Sequence, residues 1–142
     1  MKVSTKGRYA LRLMLDLALC EPGVSISLKS IGKRQKISIK YLEQIVNILN
    51  KGGFLKSVRG PMGGYSLLKK PEEYTVGSIL RCIEGSLSPV ACLENEVNDC
   101  QRKDICATLY LWERIEKAVD DVVDNMTLKE LVDRHKSLVG ND

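Results

Sequence analysis

Histidine, tryptophan and phenylalanine each occur once in the 142 residues, and aromatic residues make up only 5% of the chain. His135 is the lone imidazole, and the chain has neither a Ser/His/Asp set nor a glycine-rich phosphate loop, the usual equipment of nucleophilic and phosphoryl-transfer catalysis. An enzyme or electron carrier is therefore not expected. Long apolar runs are also missing: no stretch of about 18 uncharged apolar residues, the length of a membrane helix, occurs. Lys2, Lys6 and Arg8 precede an apolar stretch from Tyr9 to Cys20, but Arg12 and Asp16 interrupt it and no small-residue cleavage pattern follows. No secretory leader is expected, no membrane partner either, and the expected compartment is the cytoplasm.

What is present is the composition of one globular unit, 44% apolar and 28% charged. A chain of this size buries roughly 70% of its unfolded surface and needs no disulfide to hold a core. The net charge of +4 conceals an asymmetry. Residues 1 to 74 carry 14 Lys and Arg against 5 Asp and Glu, whereas residues 75 to 142 carry 8 against 13. The first half, at +9, is suited to a polyanion, and the second, at −5, is not.

Apolar residues cover most of a helix from Arg8 to Cys20, leaving Arg8, Arg12 and Asp16 as a thin polar strip, and Glu21-Pro22-Gly23 ends it. A short helix capped by Ser27 runs to Gln35, Lys36-Ile37 turns, and a second helix capped by Ser38 runs to Lys51. Its Leu42, Ile45, Val46 and Leu49 share one buried face, and Gly52-Gly53 stop it. Strands are expected over Phe54 to Val58 and Tyr65 to Lys69, with Arg59-Gly60-Pro61-Met62-Gly63-Gly64 as the hairpin loop. A helix from Thr75 to Glu84 follows.

Two short helices joined by a tight turn and followed by a hairpin make a winged helix-turn-helix. The outer face of the second helix holds Ser38, Lys40, Tyr41, Glu43 and Gln44 in its N-terminal turns, the part of a recognition helix that enters a major groove. Gln44 can pair with adenine, Glu43 can accept from cytosine, and Lys40 can reach guanine or phosphate. Arg59 stands at the hairpin tip with Gly60, Gly63 and Gly64, where a guanidinium can enter a minor groove beside bare backbone.

Residues 85 to 103 show no periodicity. Asp104 is placed to cap a helix of roughly 22 residues, about 33 Å long, reaching Asn125. Along it Trp112, Ile115, Val119, Val122 and Met126 recur at heptad spacing, the seam of a helix that pairs two subunits. Thr127 to Glu130 form a capping box for a last amphipathic helix. Three segments are thus expected: a DNA-binding domain over 1 to 84, a cysteine-bearing sensor loop over 85 to 103, and dimerisation and C-terminal helices over 104 to 142. The fold class is mainly α, a winged helix-turn-helix with a two-stranded wing plus a long dimerisation helix.

The strings VSTKGRYALRLMLDLA, KISIKYLEQIVNILNKGGFLKSVRGPMGGYSL, YTVGSILRCIEG and NMTLKELV resemble the winged-helix repressors typified by IscR, an iron-sulfur assembly regulator, and CymR, a regulator of cysteine metabolism. The resemblance runs nearly end to end. It implies a cytoplasmic homodimer bound to a near-palindromic double-stranded DNA operator, with Tyr41, Glu43 and Gln44 in the groove and Arg59 on the wing.

Five cysteines is an odd number, and Cys92, Cys100 and Cys106 lie within fifteen residues of one another. Their x7 and x5 intervals are not the paired knuckles of a zinc ribbon. Three thiolates on a loop suit an iron-sulfur cluster; spectator thiols, zinc and a thiol switch are the alternatives. Members of the resembled family that sense through a cluster carry three cysteines in this region, so the resemblance implies these three as ligands. A two-iron centre is expected ahead of a four-iron one. Two departures stand out: the first interval has seven residues where five are usual, and Leu109 occupies the place of an expected histidine ligand. The fourth ligand is then Glu94, Glu96, Asp99 or Asp104, a residue of a partner subunit, or an exogenous thiol or water. Cys20 and Cys82 are expected to be structural, and His135 solvent-exposed. The leading expectation is a dimeric transcriptional regulator tuned by cluster occupancy. The competing one is a cluster-free repressor of cysteine or sulfur metabolism, controlled by a partner metabolic enzyme or by thiol oxidation.

Overall fold

A computed structural model of the chain describes residues 2–140. Six helices and one two-stranded antiparallel sheet follow in the order α1 (Thr5–Leu19), α2 (Leu28–Gln35), α3 (Ile39–Lys51), β1 (Leu55–Val58), β2 (Gly64–Leu67), α4 (Val76–Glu84), α5 (Leu109–Val123) and α6 (Leu128–Val139). Single 3₁₀ turns at Pro71–Glu73 and Ala91–Leu93 fill two of the connections. The fold is a winged helix-turn-helix, as expected.

Polar caps fix most of the helix starts. The hydroxyls of Ser27, Ser38, Thr75 and Thr127 accept from the amides of Ser30, Tyr41, Ser78 and Glu130. Each such cap stabilises its helix by about 1 kcal/mol. Ser4 does the same for α1 through Gly7, so that helix begins three residues before the expected Arg8.

α1 is the central element, and α2, α3, α4, α6 and β2 pack around it. Its Leu13 and Met14 are fully buried with Leu42, Ile45 and Leu49 of α3. Each such side chain contributes about 1.5–3 kcal/mol through burial. One residue of the expected polar strip does not face solvent. Asp16 is only 4% exposed, because Arg34 and Gln35 at the end of α2 reach its carboxylate and replace the water it loses.

The wing pairs Leu55 with Leu67 and Val58 with Gly64. Mutual amide–carbonyl bonds of 2.8 Å between Ile26 and Tyr65 fasten it to the segment leading into α2. At its foot the buried Tyr74 hydroxyl accepts from the amides of Leu68 and Lys69, both at 3.1 Å, and donates to the Phe54 carbonyl at 2.8 Å.

The C-terminal part departs from expectation in two ways. Asp104 caps nothing: residues 100–109 form successive turns, with Lys103 N bonded to Cys100 O, Ile105 N to Arg102 O and Leu109 N to Cys106 O. α5 starts only at Leu109, and its 15 residues span about 22 Å where about 33 Å was expected. Asp104, Ile105, Cys106 and Thr108 are weaker helix formers than Ala or Leu, and the backbone here closes in short turns instead of opening a continuous helix. Secondly, α6 leaves α5 and returns to α1: Leu128 is fully buried in the common core, and Thr127 forms a bridge with Thr75. Among the described residues, α6 thus packs in the N-terminal core with α1.

Candidate nucleic-acid interface and cysteine segment

The turn between α2 and α3 is sharp because Lys36 adopts the left-handed conformation at φ 57°. It presents the N-terminal turns of α3 on the surface. Lys40, Glu43, Gln44 and Asn47 are exposed there, while the apolar stripe on the opposite side is buried. Two of the expected groove residues carry local duties as well. The Ser38 hydroxyl caps the helix, and the half-buried Tyr41 sets its ring edge-on against Tyr9 of α1, with centroids 5.6 Å apart. Three free polar side chains, Lys40, Glu43 and Gln44, remain to meet an incoming ligand.

Arg59 is exposed at the wing tip. The three glycines beside it differ. Gly60, at φ +105°, has open space where a side chain would be, whereas a Cβ on Gly63 would lie 2.1 Å from the Val58 carbonyl and one on Gly64 2.2 Å from that of Ile26. Gly63 and Gly64 thus have a reason to be glycine in the fold itself. Sequence reasoning passed over Met62, which is 89% exposed between Pro61 and Gly63 on the same tip. Its signal was a large apolar residue in loop chemistry, of the kind that can wedge into a minor groove.

An arginine of α4 ties α5 to the N-terminal core. Arg81 of α4 pairs with Asp120 of α5 at 2.6 Å and with Asp124, the C-cap just beyond that helix. The Ser88 hydroxyl stands 3.1 Å from Glu116 of the same helix and 3.0 Å from the Leu93 carbonyl, anchoring the start of the cysteine segment. Cys92 and Cys106 are half-buried, Cys100 is exposed, and all three are free thiols. Among the described residues no three His, Cys, Asp or Glu side chains are gathered as one ion would require. Glu94, Glu96, Asp99 and Asp104 all face solvent. Cys106 differs chemically from the rest: the Thr108 hydroxyl at 3.4 Å, the backbone amides of Leu109 and Thr108, and the Arg102 charge lower its pKa. Burial raises the thiols of Cys20 and Cys82, as suits structural residues. His135 is half-buried, not fully exposed as expected.

No residue of α5 is fully buried. Ile115, Ala118, Val119, Val122 and Val123 line an apolar hollow of about 390 Å³ that is left open among the described residues. None of the described helices is long and apolar enough to cross a membrane.

A basic helix-turn-helix with a wing, joined to a helix carrying a bare apolar seam, defines a winged-helix transcriptional regulator. Comparison with known proteins agrees. Residues 3–134 match the family model Rrf2, described as an iron-dependent transcriptional regulator. The chain belongs to the Rrf2 family. It is 44% identical over 131 residues to the HTH-type transcriptional regulator CymR of Bacillus subtilis, covering 92% of this chain and 89% of that protein. It is 39% identical over 142 residues to the HTH-type transcriptional regulator IscR of Erwinia tasmaniensis, covering 100% of this chain and 85% of that one. Among solved structures, IscR from T. potens superposes with a TM-score of 0.80 at 37% identity, covering 100% of this chain and 93% of the other. The structure of CymR, the global cysteine regulator of B. subtilis, superposes at 0.77 with 40% identity, covering 94% and 98%.

Proposed function

We propose that the protein is a dimeric repressor that reads an operator through Lys40, Glu43 and Gln44 of α3 and through Arg59 on the wing, with Ser38 and Tyr41 shaping the first turn of the helix. The observation that carries this reading is the three exposed polar side chains of α3 on the same basic half as an exposed wing-tip arginine. The uncovered α5 seam supplies the second subunit, and two recognition helices about 34 Å apart would then meet successive major grooves. Gly60 leaves the backbone at the tip open to a phosphate, while Gly63 and Gly64 hold the hairpin in shape.

For the signal, the donor set fits an iron-sulfur cluster: three thiols on one connecting segment of short turns, one of them biased toward thiolate. Cys92, Cys100 and Cys106 would hold it, and the two-iron form is preferred. When bound, a cluster supplies reversible, oxidant-sensitive chemistry. Since the three thiols are apart, loading has to draw residues 92–106 together, and the segment leads directly into α5. A cluster-free repressor switched by oxidation of Cys106 is the second reading, favoured by the lowered pKa of that thiol. Among the described residues no surface feature favours control by a partner metabolic enzyme.

Two measurements test the reading. Selection from a random duplex pool should yield a near-palindromic site, for which Gln44→Ala costs about 1–3 kcal/mol at one base position and Arg59→Ala relaxes preference for a narrow minor groove. Unchanged footprints and affinities in both variants would remove α3 and the wing from the interface. Anaerobic reconstitution with iron and sulfide should give visible charge-transfer bands that any one of Cys92→Ser, Cys100→Ser or Cys106→Ser bleaches. A colourless parent protein favours the cluster-free reading.

A further inference from the structure

Arg12 of α1 lies at the crossing of three elements without belonging to the core. Its guanidinium carbon sits 5.2 Å from the centroid of Tyr9, and the Tyr9 ring meets Tyr41 in the first turn of α3 edge-on, at 81° between planes. Its Nε donates to the Gln35 side-chain oxygen at 3.1 Å, and its Nη2 to the Gln35 backbone carbonyl. That carbonyl is at the C-terminus of α2, where a cation satisfies an orphan acceptor and the negative end of the helix dipole. The Gln35 amide is held from both sides: its oxygen accepts from Arg12 and its nitrogen donates to the buried Asp16 at 2.9 Å.

The next residue is Lys36 in the left-handed conformation, a place where helix-turn-helix turns often use glycine. A lysine there is held by its surroundings, not by its own preference. Arg12 therefore grips both sides of that turn, α2 through Gln35 and α3 through Tyr9 and Tyr41. Resting on the reading of α3 as the recognition helix, we propose that Arg12 is a positioning residue which sets the pitch of α3 relative to α2, and with it operator discrimination, without itself contacting DNA.

The test uses the full chain and four variants: Arg12→Ala, Arg12→Lys, Tyr9→Leu and the double variant Arg12→Ala/Tyr9→Leu. For Arg12→Ala the ratio of affinity for the selected operator over a random duplex should fall about tenfold. Thermal midpoint and salt dependence of binding should stay at parent values. Arg12→Lys keeps the charge but loses the planar fork, so it should fall as Ala does. Tyr9→Leu should reproduce the loss, and the double variant should add little to either single one. If Arg12 instead touches a phosphate, specific and random affinity fall together, the salt slope drops by about one, and Lys restores binding; that result overturns the proposal. An unchanged ratio also overturns it. Amide exchange in the free protein separates this from failure of the DNA reading. The Ile37 amide, bonded to the Gly32 carbonyl across the turn, should exchange about tenfold faster in Arg12→Ala. A parent that selects no operator refutes the reading of α3, whereas an Ile37 amide as protected as in the parent refutes the positioning role itself.

Discussion

At the foot of the wing one hydroxyl serves three backbone groups, and no other side chain is placed to replace it. Removing the Tyr74 oxygen leaves the Leu68 and Lys69 amides and the Phe54 carbonyl without that partner, while the ring, stacked on Phe54 at 6.1 Å, stays. Tyr74→Phe should therefore cost about 1–3 kcal/mol, read as a lower urea midpoint at unchanged slope. A midpoint equal to that of the parent would show that water takes over all three bonds. The cysteines give a second test at this scale. A thiol alkylates as its thiolate, so a lowered pKa moves its pH profile down and a raised one moves it up. In metal-free protein Cys106, lowered first by the Thr108 hydroxyl, should be labelled by iodoacetamide from a lower pH than Cys20 or Cys82, both raised by burial. Thr108→Val should push the Cys106 profile upward, as peptide mass mapping across a pH series would show. Identical profiles for the three thiols would mean that their surroundings leave them alike.

Among the elements, the wing shows what a glycine-rich loop conceals. Gly64 is at φ +155° with no room for a Cβ against the Ile26 carbonyl, so an alanine must break the paired bonds between Ile26 and Tyr65 that fasten the hairpin to the helix-turn-helix. Gly64→Ala should lower stability by about 1–3 kcal/mol and weaken DNA binding while the far-UV helical signal persists. Gly60→Ala meets no neighbouring atom and carries only the backbone strain of φ +105°, so it should cost less; equal losses in circular-dichroism melts would count against this division of roles. Local chemistry made most elements legible beforehand. Ser27, Ser38 and Thr127 act as the caps their positions suggest, because a cap is satisfied within three residues. Lys40, Glu43, Gln44 and Arg59 are exposed where alternation with an apolar stripe and a glycine-rich turn predict an outer face. What could not be read depended on distant partners. Asp16 looked like surface until Arg34, 18 positions away, was seen beside it. Asp104 had the chemistry of a cap but lies in a chain of turns that ends only at Leu109.

For the molecule as a whole, the unfinished surface is α5. Four helices and the wing bury themselves around α1, while α5 is held to that core chiefly by Arg81 with Asp120 and Asp124, ion pairs that are partly solvated and of modest worth. A helix with a valine and isoleucine seam and no buried residue has not finished folding within one chain. On the proposed reading, the same seam on a second copy, brought together by a two-fold axis, would cover it and double the number of bases read. Charge placed in the middle of that contact would be desolvated without a partner. Val119→Glu with Val122→Glu should therefore give monomers in sedimentation, with the core melt little changed because neither side chain is buried within its own chain. Those monomers should bind operator far more weakly than the parent, but random duplex only moderately so, since each still carries the basic half. A dimeric double variant, or a monomer that holds the operator as tightly as the parent, would place the subunit contact somewhere other than α5.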